Sequence, residues 1–257
     1  MIYEVKKLSF SYDNSKTVLK NINLELNQGE LLCVLGKNGS GKTTLFKCLL
    51  GILNADSGEI ILNNRNIKDL KEKEIAKNVG YVSQNNESTF AFTVYEYVMM
   101  GLASSIGIFS KPSTKQEEMV INILKEMNLL EFKDRLFNEL SGGERQQVAI
   151  ARALVLKPDV ILFDEPTAHL DYGNQIKVLR MIKELSKKGY AIMITTHDPN
   201  HAIMLDGSVA LLDNNGHLVK GSAEELISED NLKKIYGTDL KIKYIEEFKR
   251  KVCIYQM

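Results

Sequence analysis

Residues 36–43 read GKNGSGKT: Gly36, four residues, then Gly41, Lys42 and Thr43. Glycines at that spacing let several backbone N–H groups converge on an anion at a helix N-terminus, where the helix macrodipole adds favourable potential. Gly36, Asn38, Gly39, Ser40, Gly41 and Thr44 make up or flank this loop. Lys42 is placed to reach the β and γ phosphates of a nucleoside triphosphate, and Thr43 to ligate magnesium. A chance glycine loop is disfavoured by context, because the buried-strand run LLCVLG precedes it and the apolar helix TTLFKCLLGIL follows.

Carboxylates are the second chemical feature. VILFDEP puts Asp164 at the end of an apolar strand, with Glu165 next in sequence. Open α/β sheets gather ligands at the carboxyl ends of their strands, so Asp164 suits a magnesium ion held through water. Glu165 is then free to act as the general base for an attacking water, since a base must be clear of the metal to accept a proton. His197 ends the strand IMITTH and is placed to hydrogen-bond a γ-phosphate and that water. Gln84 ends VGYVSQ, where a neutral amide can touch magnesium or water. Tyr12, in FSYD, offers a π face on which a base can stack, or serves as an ordinary strand aromatic.

A second glycine turn opens a helix at LSGGERQQVAIARAL, residues 140–154. Ser141 followed by Glu144 is a capping box, which explains a stable helix start. It does not explain Gly142 and Gly143, because glycine in a helix costs about 1 kcal/mol relative to alanine. Close backbone approach of some other group is the expected reason.

These residues need a sheet to position them. Residues 1–32 alternate polar and apolar, as in antiparallel strands with one wet face. DVILFDEP and YAIMITTH are apolar strands around the helix NQIKVLRMIKELSKKG, an order that implies a parallel sheet. SVALLDNNGHLVKG reads as a hairpin, and residues 86–157 show mainly helical periodicity. The expected fold is α/β: a phosphate-loop NTPase core with a mixed, mainly parallel sheet, an N-terminal antiparallel part and an inserted helical subdomain. The core takes residues 1–85 and 158–257 and the helical subdomain residues 86–157, within one domain. The tail from Ser222 is expected to be mixed, charged and moderately helical, without a core of its own.

Bulk properties narrow the partners. Lys plus Arg and Asp plus Glu both number 33, so no net charge pulls the chain onto nucleic acid or an anionic membrane. Cys33, Cys48 and Cys253 are odd in number and lack metal-ligand spacing, which argues against a disulfide framework or zinc site and fits a reducing cytosol. The N-terminus MIYEVKKLSF has no apolar signal core. The uncharged run at residues 97–110 falls short of the ~20 residues a membrane-spanning helix needs.

With GKNGSGKT, LSGGERQQ, VILFDEP, AHLD, Gln84 and His197 in one order, nearly the whole chain resembles the ATP-binding subunit of ABC transporters. The resemblance implies an ATPase using ATP and Mg2+, with Ser141, Gly142 and Gly143 binding the γ-phosphate of ATP held by the loop of a second copy in a head-to-tail dimer. It further implies Tyr12 as adenine platform, Gln84 as link to the partner, Asp171 as a cross-dimer contact and His197 as γ-phosphate switch. Transmembrane permease subunits, an extracytoplasmic substrate-binding protein and a peripheral place on the cytoplasmic membrane face follow from the same resemblance.

AFTVYEYVMMG, DEPTAHLDYGNQ, THDPNHA and NLKKIYGTDLKI resemble the importers of iron-siderophore, cobalamin or molybdate-type compounds. Residues 86–110 are expected to dock the permease, and at the end of that stretch the chain departs from the common pattern: after MG at residues 100–101 it continues LASSIGIFSKP where an arginine, a proline and a histidine are frequent. Gln147 likewise stands where a basic residue is frequent. The alternatives are a soluble ABC-type ATPase without transport, such as an iron-sulfur assembly scaffold, or a phosphate-loop kinase or GTPase. The last lacks an Asn-Lys-x-Asp stretch here and gives LSGGE no task.

Overall fold

Alternating burial builds the first sheet in the computed structural model, which describes residues 1–13, 16–84, 90–107 and 110–255. Strands β1 (Tyr3–Ser11) and β2 (Thr17–Leu26) pair antiparallel from Tyr3↔Leu26 to Ser11↔Thr17. β3 (Leu31–Leu35) then enters a second sheet with every residue buried, as its unbroken apolar run predicts. After the glycine loop comes α1 (Lys42–Leu49); β4 (Ser57–Leu62) and β5 (Arg65–Asn66) complete the first sheet in the order β2-β1-β4-β5. Helix α2 (Glu72–Asn78) leads directly into β6 (Val79–Val82).

Among the described residues, α-helices α3 (Val94–Met99), α4 (Thr114–Glu126) and α5 (Gly142–Leu154) follow. Each begins at a capping box, Thr93 with Glu96, Ser113 with Gln116 and Ser141 with Glu144, so local sequence fixes all three starts. Val94, Tyr97 and Val98 of α3 pack inward, Tyr97 stacking on Phe137 with ring centroids 3.9 Å apart.

The chain returns through β7 (Val160–Asp164), α6 (Tyr172–Lys187), β8 (Ala191–Thr196), α7 (Pro199–Leu205), β9 (Ser208–Leu212) and β10 (Leu218–Ser222). The second sheet runs β10-β9-β3-β8-β7-β6, parallel throughout except for the β9-β10 hairpin. Its central strands feed two cores by simple alternation. Cys33, Ile161, Phe163, Ile192 and Ile194 face the side covered by α3 to α7. Leu32, Val34, Leu162, Ala191 and Met193 face the side covered by α1 and the first sheet.

The tail is mixed and without a core of its own, as expected, but it also holds a strand pair not expected from its sequence. After α8 (Ala223–Leu226) and α9 (Glu229–Tyr236) it forms an antiparallel pair, β11 (Leu240–Ile245) with β12 (Arg250–Tyr255), in register from Leu240↔Tyr255 to Ile245↔Arg250. Leu240, Ile242 and Cys253 join the main core, which supplies the apolar surface this short hairpin cannot provide alone.

Candidate functional site

Sheet register assembles the site. Leu35 lies opposite Thr196 and Asp164 opposite Thr195, so β3, β7 and β8 end level with one another. Gly36, Glu165 and His197, the next residues in each case, therefore emerge along one edge.

At the glycine loop, Gly36 N–H donates to the Thr196 carbonyl at 3.3 Å. A Cβ on Gly36 would sit 2.7 Å from the Leu212 carbonyl oxygen, so no larger residue fits there. Gly39 (φ 81°) and Gly41 (φ 104°) adopt left-handed backbone that favours glycine. Gly41 caps α1 without any side-chain hydrogen bond, and the first turn of α1 carries no acidic residue. Its leading N–H groups are thus left for an anion. The buried Ser40 hydroxyl has no hydrogen-bond partner among the described residues, consistent with a loop built around an oxygen-rich ligand.

Lys42 is buried and its ammonium donates to the carbonyls of Gly36 (2.8 Å) and Lys37 (3.1 Å). It also lies 3.0 Å from Glu165 Oε1, while the other carboxylate oxygen, Oε2, lies 3.1 Å from His197 Nδ1. The His197 bond first, then Lys42, hold the Glu165 carboxyl down at about 2, against burial that pushes the other way. The same bond raises the His197 imidazole above its ordinary value. Glu165 takes a left-handed φ of 44°, held by its N–H donating to Thr195 Oγ1 at 2.9 Å.

Asp164 is buried, accepting from Thr195 Oγ1 on Oδ1 at 2.7 Å and from the Tyr81 hydroxyl on Oδ2 at 3.3 Å. Burial and the Asp164 charge both push the Tyr81 phenol up, so it stays protonated and donating. The Asp164 carboxylate, the Thr43 hydroxyl and the Gln84 amide oxygen are all hard oxygen donors, a chemistry that suits Mg2+ completed by phosphate oxygens and water. Gln84 is exposed, as is Tyr12, whose hydroxyl lies 3.1 Å from Thr44 Oγ1 and whose ring meets Phe10 edge-on at 4.9 Å.

Ser141, Gly142, Gly143 and Asp171 form a separate group on α5 and α6. Ser141 Oγ accepts from Glu144 N–H at 3.4 Å, and Ser141 N–H donates to Glu144 Oε2 at 2.8 Å. Asp171 caps α6, accepting from Asn174 N–H at 2.9 Å and from its side-chain amide at 2.7 Å. That amide occupies the space a Gly143 side chain would need, since a Cβ there would lie 2.6 Å from Asn174 Oδ1. At Gly143 a close neighbour is therefore a residue of the same chain, whereas a Cβ on Gly142 would meet only Leu170 Cδ2 at 3.4 Å. None of the hydrogen bonds made by Ser141 or Asp171 reaches the glycine loop.

The family profile described as ABC transporter matches residues 19–168. The chain belongs to the ABC transporter family. The molybdate import ATP-binding protein MolC of Haemophilus influenzae is 34% identical to it, with 90% of this chain and 87% of that protein covered. A chain of a metal-chelate type ABC transporter in an inward-facing conformation superposes with a TM-score of 0.87 at 30% identity, over 100% of this chain and 97% of the other. A dimeric ATP-binding cassette in a post-hydrolysis state, bound to ADP and Pi, gives a TM-score of 0.73 at 28% identity, over 86% and 99%.

Several side chains of this ABC chain escaped sequence reasoning. Thr195 joins Asp164 to the Glu165 backbone, and its signal was the Thr-Thr pair just before His197. Asn174 stands three residues after Asp171, the spacing of a helix cap. His201 is buried behind His197, its Nδ1 3.1 Å from Thr196 Oγ1 and 3.4 Å from Thr167 Oγ1. Burial lowers its pKa, the opposite direction to His197.

Proposed function

We propose that this chain is the ATP-hydrolysing subunit of an importer of the metal-chelate type, in the iron-siderophore, cobalamin or molybdate class. The observation that carries the hydrolytic reading is Glu165, bonded to Lys42 on one side and His197 on the other at the strand end beside the glycine loop. Phosphate oxygens arriving at the loop compete with Glu165 for the Lys42 ammonium. Losing that partner raises the basicity of Glu165, whose carboxylate then takes a proton from the attacking water as the γ-phosphoryl group leaves ADP. His197 hydrogen-bonds the transferring group and keeps Glu165 in place. Mg2+, held by Thr43, Asp164 and Gln84, would neutralise charge on the β and γ phosphates. Tyr12 would carry the adenine.

Two copies would face head to tail, with Ser141, Gly142 and Gly143 of each meeting the γ-phosphate in the other and Asp171 crossing the interface. A dimeric cassette with ADP and Pi, similar over 86% of this chain, supports the pairing of two copies. Losing the γ-phosphate contacts on hydrolysis gives the closed dimer its differential affinity for ATP, which is what allows it to do work on a partner. The permease would dock at a groove of about 510 Å³ between α2, α3 and α4, lined by Lys73, Tyr95, Met99, Met100, Ile106 and Pro112. Part of residues 86–110 instead forms core, as Val94, Tyr97 and Val98 show, and residues 86–89 and 108–109 lie outside the described residues. No helix among the described residues is long and apolar enough to cross a membrane, so membrane contact would come through permease subunits, with the chain peripheral on the cytoplasmic face and a substrate-binding protein outside.

Glu165→Gln tests the reading. ATP binding should persist, phosphate release should fall about a hundredfold to ten-thousandfold, and an ATP-bound dimer should accumulate. Binding of a fluorescent ATP analogue, phosphate release and sedimentation measure the three. Hydrolysis at the wild-type rate would overturn the assignment.

A further inference from the structure

His197 is loosely held by its own side chain. The imidazole is 51% exposed, and its one side-chain hydrogen bond among the described residues is the 3.1 Å contact with Glu165. Its position therefore depends on its backbone, and two contacts that anchor that backbone come from the tail. The Tyr236 hydroxyl donates to the His197 carbonyl at 2.7 Å. Three residues beyond His197, the Asn200 side chain is held at both ends by Cys253: its Nδ2 donates to the Cys253 carbonyl at 3.0 Å, and Cys253 N–H donates to its Oδ1 at 2.9 Å.

The tail is built to hold these groups firmly. Ser228 caps α9, accepting from Asn231 N–H, and the next residue, Glu229, binds Lys241 Nζ (2.7 Å) and Ile242 N–H (3.1 Å) of β11. Leu232 and Ile235 are buried against the core, which places Tyr236 at the end of α9 on the inward side, one turn beyond Leu232. Burial pushes the Tyr236 phenol up, so it remains a donor. The carbonyl of an exposed residue such as His197 would otherwise be free to rotate with the loop.

We infer that Tyr236 is a positioning residue for ATP hydrolysis: with the Asn200–Cys253 pair, it sets where His197 stands beside Glu165, without itself touching nucleotide. This rests on the proposed roles of His197 and Glu165. It gives the tail hairpin a task in turnover, because movement of β12 or of the end of α9 is transmitted to the His197 backbone.

The test uses the full chain carrying Tyr236→Phe, Asn200→Ala or Glu165→Gln. Tyr236→Phe should lower kcat about threefold to tenfold with KM for ATP unchanged, the size expected from one lost hydrogen bond. It should also move the His197 imidazole resonance in histidine-labelled protein, assigned by its loss in His197→Ala, while His169 and His217 stay in place. Asn200→Ala should reproduce both effects through a different contact. Wild-type kcat in both variants, a rise in KM alone, or an unmoved His197 resonance would overturn the inference. Wild-type activity in both Tyr236→Phe and Asn200→Ala beside an inactive Glu165→Gln overturns only the tail's role, whereas an active Glu165→Gln removes the site reading beneath it.

Discussion

The helix that begins at Lys42 and the helix that begins at Gly142 both follow a glycine turn, yet their first N–H groups are satisfied differently. α1 has no side-chain cap and no acidic residue in its first turn. α5 has Ser141 and Glu144 closing a capping box, so a carboxylate already sits at its N-terminus. The glycines differ as well. Gly39 and Gly41 have positive φ, while neither Gly142 nor Gly143 does. At α1 glycine answers a conformational need, and at Gly143 it answers a spatial one, the Asn174 amide packed over it. The same composition thus serves an open anion site in one case and a closed, rigid helix end in the other. A closed end is poorly suited to bind a phosphate alone and well suited to present Ser141 to a phosphate already bound elsewhere.

The strongest way to break this comparison is to separate the two helix starts onto different subunits. Lys42→Ala and Ser141→Arg should each reduce ATP hydrolysis about a hundredfold or more, since on the proposed reading each removes or blocks groups that stabilise charge in the transition state. Mixed in equal amounts, they should regain activity, because a mixed dimer holds one composite site with both Lys42 and Ser141 intact. Phosphate release by the mixture decides it. If the mixture is as inactive as its parents, the two helix starts do not pair across a dimer.

The open start was legible in the sequence because its chemistry is local: the loop glycines, Lys42 and the flanking strand and helix all lie within one short stretch. Asp164, Glu165 and His197 were legible because apolar runs mark where buried strands end, and ligands collect there. What joins them was less so. The contacts of Thr195 with Asp164, and of Lys42 with Glu165, depend on which strands lie side by side, and strand order is not written in any one segment. The spatial reason for Gly143 stayed hidden because Asn174 comes from a different helix. The tail hairpin was missed although LKIKYI alternates, because its strands are charged, short and dependent on the main core for burial.

A smaller effect sharpens the distinction between conformational and spatial glycines. Gly143→Ala should destabilise the protein by roughly 1–3 kcal/mol, since its Cβ meets the Asn174 side chain and one of the two must shift. Gly142→Ala meets only Leu170 Cδ2 at 3.4 Å and gains up to about 1 kcal/mol of helix propensity, so it should be neutral or stabilising. Combining Gly143→Ala with Asn174→Ala should recover part of the loss. Denaturant unfolding measures all three, and equal stability for the two single glycine variants would remove the spatial argument.

The least disruptive change probes the closed end itself. Ser141→Ala removes the cap oxygen and should cost about 1 kcal/mol of stability near neutral pH. The Ser141 hydroxyl and N–H hold the Glu144 carboxyl below its usual range. A carboxylate depressed in the folded state contributes stability that is present above its unfolded value of about 4.3 and lost as pH falls through the folded one. The deficit of Ser141→Ala relative to wild type should therefore be full near pH 7 and narrow as pH falls below about 4.3. Paired unfolding curves across that range read it directly. A deficit that stays constant would assign the cap to the single bond from Glu144 N–H to Ser141 Oγ, leaving the carboxylate no part in closing this helix end.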